Sequence, residues 1–266
     1  MQSTLARRSG AAVFLAIAVA APAGAQVDYR NLDDDRPTIV EDAYPAERYA
    51  FEWLVPYRVE RERSGTVVHA FLPELEYGIV RNAHVGVKAP LVARRRGGVT
   101  ETGLSGLRLF ALYNLNTEGP RLPALALRTD VALPLGRFGG EATQLGVKAM
   151  ATRSWGPIRL HLNTALRFGP DRVMPLAEGL DRWWYGAALD RTLFRQSVLV
   201  IAELYARRAV TADPVEVSAS LGLRWQWRPT TVIDVGVSRG LRQRIGPTYA
   251  VTVGISNAFA LPGLMP

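Results

Sequence analysis

A chain of 266 residues with no cysteine and a net charge of +8 excludes several classes at once. Neither a disulfide framework nor a thiolate metal site can form. A mean hydropathy of +0.03, with no apolar run near about 18 residues past the N-terminus, excludes a bundle of membrane-spanning helices.

Residues 1–25 carry Arg7 and Arg8, then an apolar block, then Ala23-Gly24-Ala25 ahead of Gln26. This three-part order predicts a secretory signal peptide cleaved after Ala25. Loss of Arg7 and Arg8 lowers the charge from +8 to +6, still basic. An exported chain rarely meets nucleic acid, so anionic partners fit better, namely lipopolysaccharide phosphates in the membrane or carboxylate solutes. Residues 26–49 follow, acidic, proline-bearing and without period, and predict an irregular periplasmic lead-in or a plug folded into a lumen. Their Asp33-Asp34-Asp35 run reads better as a solvated charge run than as a cation site.

From residue 50 to 266 the chain repeats one pattern. Segments near 50–61, 66–79, 83–93, 105–116, 124–135, 145–154, 157–168, 182–192, 197–207, 215–228, 231–241 and 248–259 alternate apolar and polar residues. In VEVSASLGLRWQW, Val215 to Trp227, every second residue is apolar, which gives a strand one greasy and one wet face. These lengths match the 9 to 11 residues that a tilted strand needs to cross a bilayer. The expected fold is all-β, a closed antiparallel transmembrane barrel of about twelve strands. Every second connection should then be short, as at Arg81-Asn82, Gly156 and Pro229-Thr230, and more modestly at Leu193–Gln196. Arg94–Leu104, Gly136–Gln144, Gly169–Asp181, Arg208–Pro214 and Arg242–Pro247 read as the longer outer loops. Thr117–Pro123 and the turn at Ser64-Gly65 break that alternation. Pro56 and Pro73 fall within paired segments, where a missing N–H predicts either bulges or strand boundaries other than those given above.

Alternation alone does not say what covers the apolar face; a soluble β protein would present the same stripes. The signal segment, the strand lengths and the placement of aromatics favour lipid. Trp53, Tyr57, Trp183, Tyr185, Trp225, Trp227 and Tyr249 lie on the apolar parity as candidates for an interfacial girdle. The few charges on that parity, such as Arg153 and Arg239, belong near the rims, because one at mid-bilayer costs about 2–4 kcal/mol. The opposite parity carries Arg58, Lys88, Arg108, Arg128, Asp130, Lys148, Arg159, Glu216 and Arg224 as candidates to line a pore, its cations biasing passage toward anions.

Around PELEYG (73–78), VGVKAPL (85–91), GLSGLRLFALYNL (103–115) and PALALRTDVALPLG (123–136), the sequence resembles the exported barrel family named for the meta pathway of phenol degradation. The resemblance covers the first half of the mature chain and implies an outer-membrane channel for small compounds, aromatic ones among them. The family supplies no catalytic or ligand residues to carry over. Ser105-Gly106 stands where relatives have Gly-Asp, and ALPGLMP follows the terminal aromatic Phe259.

No nucleophile elbow, phosphate loop or spaced histidine pair is present, so neither a cofactor nor a metal is expected. The expected function is a channel for small solutes in the bacterial outer membrane. One alternative is a structural or surface-interaction barrel. Another is a lipid hydrolase pairing His161 with a serine such as Ser154 across neighbouring strands.

Overall fold

The computed structural model describes residues 28–169, 181–194, 197–209, 215–243 and 246–264, with backbone alone for 181, 182 and 209. The expected signal segment lies outside these residues, as do parts of the connections after 169, 194, 209 and 243.

Fifteen strand segments form one antiparallel sheet closed by pairing of the last with the first. They are β1 (Ala50–Glu62), β2 (Val67–Phe71), β3 (Glu74–Val80), β4 (Ala83–Lys88), β5 (Leu91–Arg96), β6 (Val99–Leu104), β7 (Leu107–Asn116), β8 (Ala124–Leu133), β9 (Gln144–Trp155), β10 (Ile158–Phe168), β11 (Asp181–Leu193), β12 (Val198–Ala209), β13 (Glu216–Arg228), β14 (Thr231–Arg242) and β15 (Pro247–Ala260). Three consecutive pairs, β2 with β3, β4 with β5 and β6 with β7, each make one crossing interrupted by two residues. The barrel therefore has twelve crossings. Closure runs along all of β1, from Ala50 opposite Ala260 to Glu62 opposite Pro247. At the seam's end Phe51 stacks on Phe259, ring centroids 5.3 Å apart.

The three interruptions explain the prolines. Leu72 N–H donates to Pro56 O (2.9 Å), Ala89 N–H to Pro73 O (3.0 Å) and Ser105 N–H to Pro90 O (2.8 Å). A strand residue presents its N–H and C=O toward the same neighbour. The donor that Pro56 lacks is thus aimed at the Leu72-Pro73 break, where no ladder bond is required. A bulge is not needed at Pro56, where β1 keeps its register against β15, and at Pro73 the crossing is interrupted rather than bulged. The expected loop Arg94–Leu104 is instead mostly the β5–β6 hairpin, turned by Gly97 and Gly98 at positive φ (55° and 84°).

Thr117–Pro123, too long for a tight turn, has a task. Arg153 lies on the outward parity of β9, and its guanidinium donates to Gly119 O (2.6 Å), Pro120 O (2.9 Å) and Leu122 O (3.0 Å). Glu118 stands 3.5 Å from the same group and accepts from Ser154 N–H (2.8 Å). Burial works against its ionised form, but the hydrogen bonds from Ser154 and the charge of Arg153 outweigh it and hold the carboxyl below the usual range. A charge on the greasy face is thereby satisfied by folded turn backbone.

The outward face is apolar, with Leu109, Leu127, Leu162, Leu189, Leu221, Val235, Val251 and Val253 among its exposed side chains. The girdle candidates lie on this face. Trp53, Trp225 and Trp227 fall toward the end bearing Ala50 and Ala260, hereafter the terminal end, and Trp183, Tyr185 and Tyr249 toward the other, hereafter the loop end. Tyr57 falls at the middle of β1, where its hydroxyl meets His69 Nδ1 at 2.7 Å.

Candidate functional site in the barrel lumen

Residues 28–47 run through the interior without regular structure, so their backbone groups need partners from the wall. The inward parity supplies them. Glu203 on β12 accepts from Ile39 N–H (2.7 Å) and Val40 N–H (2.6 Å). Asn163 on β10 binds Glu41 twice, accepting from its N–H and donating to its carbonyl, both at 2.8 Å. Thr152 on β9 accepts from Ala43 N–H (3.0 Å), Asn114 on β7 donates to Ala43 O (2.6 Å), and His84 on β4 accepts from Ala46 N–H (3.0 Å). Five strands around the circumference thus hold one irregular segment.

Charge completes the fit. This segment carries seven carboxylates against two arginines, a net charge of −5. Asp35 pairs with Arg58 (2.8 Å) and with Lys88. Asp34 faces Arg108 (3.6 Å) and Lys148 (3.7 Å); Glu41 pairs with Arg128 (3.0 Å) and with Lys148. Asp42 lies 3.6 Å from Arg159, and Asp33 lies 3.7 Å from Arg224. In return Arg36 reaches Asp33, Glu52 (3.5 Å) and Asp234 (3.5 Å). The Asp33-Asp34-Asp35 run is therefore no solvated surface patch: Asp34 and Asp35 are buried among wall cations. Ions in such surroundings cost several kcal/mol each to desolvate unless paired, which makes this complementarity the condition of seating.

All nine pore-lining candidates sit on the inward face. Arg58, Lys88, Arg108, Arg128, Lys148, Arg159 and Arg224 each contact an acid of residues 33–42 as above. Wall carboxylates share the load: Asp130 pairs with Arg128 (3.1 Å), Asp190 with Arg159 (2.6 Å), Asp234 with Arg224 (2.8 Å) and Glu216 with Arg207 (3.3 Å). Arg128 also lies 3.8 Å above the Phe110 ring. The sequence reading did not single out Glu203, Asn114, Asn163, Thr152 or His84 as site residues. Their signal was a polar side chain on the inward parity, which does not distinguish a wet wall from a cradle.

Shape matters as much. A Cβ on Gly222 or Gly236 would overlap Pro37, and one on Gly186 would come within 2.7 Å of Val40. Tyr29, Leu32 and Val40 pack with Trp184, Leu199, Ile201 and Tyr205 in one buried apolar cluster.

The residues of the hydrolase alternative are not brought together. His161 is buried with Nδ1 3.0 Å from Thr152 Oγ1 and Nε2 2.9 Å from Asp190, while Ser154 lies opposite Arg159 in the ladder. Thr152 already takes the Ala43 amide, so donating to His161 completes a relay that ends on Asp190. This row faces the lumen and fastens the segment at Ala43 to the wall. Among the described residues no cluster of three or more metal-ligating side chains occurs.

Two spaces flank the segment. At the terminal end a vestibule of about 990 Å³ is lined by Asp28, Arg30, Glu47, Arg159 and Gln226 among others. At the loop end a pocket of about 60 Å³ lies between β7 and β10, lined by Arg108, Asp130, Lys148, Arg167 and, from the lumen segment, Asp34.

No protein-family model and no curated relative matches the sequence. Among solved structures the chain is similar to an outer-membrane channel from Pseudomonas putida F1, with 13% identity, a TM-score of 0.58 and coverage of 82% of this chain and 98% of that one. It is also similar to KdgM porin (12% identity, TM-score 0.53, 77% and 99% covered) and to NanC porin (9%, 0.52, 79% and 100%). At these identities what is shared is the fold, a closed twelve-crossing antiparallel barrel of the kind that outer-membrane channels form.

Proposed function

We propose that this chain is an outer-membrane channel for small anionic solutes, its termini in the periplasm and its lumen closed by residues 28–47. The observation that carries the reading is Asp34. Its carboxylate stands in the loop-end pocket against Arg108 and Lys148, where, among the described residues, the wall contributes Arg108, Lys148 and Arg167 against Asp130. A solute carboxylate entering from outside would find the same partners once the segment shifts. Glu52, Glu74 and Glu76 are buried on β1 and β3, on the lumen side of that stretch of wall, so the path for anions follows β7 to β10. One of the similar porins, KdgM, has been solved in complex with disordered oligogalacturonate, which agrees with an anionic cargo. The aromatic part of the expectation rests on the resemblance to the phenol meta-pathway family alone.

Planar-bilayer conductance tests the reading. The full mature chain should pass little current and the variant lacking residues 28–47 should pass ions readily, with anions preferred. Two silent bilayers would overturn it in favour of a structural barrel.

A further inference from the structure

Reading the hydrogen-bonded register across the seam brings three arginines into one line. Ala219 on β13 stands opposite Arg239 on β14, Arg239 opposite Tyr249 on β15, Tyr249 opposite Arg61 on β1, Arg61 opposite Val67 on β2, and Val67 opposite Arg95 on β5. Arg61, Arg95 and Arg239 are all exposed and share the outward parity of Tyr57, Leu91 and Val237. Adjacent strands lie about 4.8 Å apart, so the three charges recur at about 10 Å along one row at the loop end. The sequence hides this row, because its members are separated by more than thirty and by more than a hundred positions.

The next row toward the barrel's middle is almost wholly aliphatic: Leu221, Val237, Val251 and Val59 in ladder order, then His69. The guanidiniums therefore stand just beyond an apolar band, where an arginine stem lies along hydrocarbon and its head reaches the interface. Among the described residues neither Arg61 nor Arg95 makes an ion pair, and Arg239 is placed 5.7 Å from the Tyr249 ring. The contrast with Arg153, the outward-facing arginine of β9, is informative. Arg153 is satisfied by three backbone carbonyls, whereas this row presents its donors to whatever surrounds the barrel.

We infer that the row Arg239–Arg61–Arg95 is a docking site for the phosphates of an acylated, multiply phosphorylated glycolipid in the outer leaflet. Guanidinium forks match phosphate oxygens in pairs, and repeated basic groups at an interface favour a ligand that carries more than one phosphate. The height of the row selects a lipid rather than a free anion, since the acyl chains of such a molecule lie against Val59, Val237 and Val251. The inference rests on the orientation given above, with the loop end outside, but not on conduction.

The test uses the mature barrel in nanodiscs of phosphatidylcholine, titrated with a diphosphorylated acylated glycolipid and with its dephosphorylated form, bound lipid being counted by native mass spectrometry. Replacing Arg61, Arg95 and Arg239 together by Gln should weaken retention of the phosphorylated lipid on the order of a hundredfold. The same change at Arg81, Arg191 and Arg228, exposed at the terminal end, should leave it unaltered. The dephosphorylated lipid should not be retained, and millimolar inorganic phosphate should not displace the phosphorylated one. Should the Gln triple fail to fold, the Lys triple decides, because it keeps charge and removes the fork: weaker retention supports the site and unchanged retention overturns it. Unchanged binding by the Gln triple, displacement by free phosphate, or loss confined to the terminal-end triple would each overturn the inference. Because the readout is lipid rather than current, a barrel that conducts nothing still tests it.

Discussion

Pro37 and Gly236 meet backbone to backbone: a Cβ on Gly236 would overlap the Pro37 carbonyl oxygen, and one on Gly222, its cross-strand neighbour, would overlap the Pro37 ring. The wall is thus cut to the shape of the segment inside it. Valine suits a strand, so Gly236→Val should leave the barrel folded and push the segment out. Overpacking of about 1–3 kcal/mol raises the displaced population about 5- to 150-fold. Gly254→Ala is the control, because its Cβ would meet Arg36 at an ordinary 3.5 Å. Rising conductance and faster trypsin cleavage after Arg48 in the first variant, with neither in the second, is the expected pair of results.

Asp35 joins two cations on different strands, Arg58 of β1 and Lys88 of β4. Asp35→Asn keeps the volume and removes the charge both cations share. Removing one partner of a buried pair costs about 3–5 kcal/mol. Glu60 and Glu74, each 3.7 Å from Arg58 and Lys88 respectively, take up part of the imbalance. The lower figure of about 3 kcal/mol predicts at least about a hundredfold more open barrel in single-channel records. Asp28→Asn breaks only the half-exposed pair with Arg30 and should change nothing measurable. Equal effects from both substitutions would mean that charge at large, rather than this junction, seats the segment.

The barrel itself was legible because a period of two leaves a mark at every strand; the inward and outward faces of β10 and β13 follow directly from IRLHLNTALRF and VEVSASLGLRWQW. A plug at residues 26–49 was one of two expectations, but the contacts that seat it were not legible. Arg128 reads the same whether water or Glu41 satisfies it, and Asp33-Asp34-Asp35 reads as a solvated run until the wall cations are brought around it. Such pairs join positions up to about two hundred residues apart, and no local pattern encodes them. Gly222 and Gly236 held a clue, since glycine weakens a strand interior and often marks a close approach of backbone. Pro73 marks a strand boundary, the second of the two outcomes expected for it, whereas Pro56 needs neither a bulge nor a boundary because the break opposite it lies on the neighbouring strand.

The turn 117–123 should depend on Arg153. Arg153→Ala removes three bonds to carbonyls from a charged donor, each worth about 1.5–3 kcal/mol at most when buried and less here, where a quarter of the side chain is exposed. The expected result is faster trypsin cleavage after Arg121 and a lower urea midpoint for refolding into micelles, with Arg153→Lys intermediate. Glu118 adds a pH dependence whose sign follows from its lowered pKa. The folded turn binds the ionised form better than the unfolded chain does, so the contribution is complete above the ordinary value of 4.5 and is lost as the pH falls through the folded value. Cleavage that ignores both Arg153 and acid would show that the turn is held by something else.

Selectivity should reside at the loop-end pocket. With residues 28–47 deleted, Asp34 no longer occupies the space before Arg108 and Lys148, and the wall between β7 and β10 keeps three cations against Asp130. A ring of like charge in a narrow, low-dielectric passage sets which ion enters. In that background Arg108→Gln with Lys148→Gln should bring the chloride-to-potassium permeability ratio from above one to near or below one, because Glu52, Glu74 and Glu76 on β1 and β3 then weigh more in the lumen. The effect should shrink as salt rises from 0.1 to 1 M, where the screening length falls from about 10 to about 3 Å. Reversal potentials under a salt gradient measure it, and an unaltered ratio would place the selecting charges elsewhere on the wall.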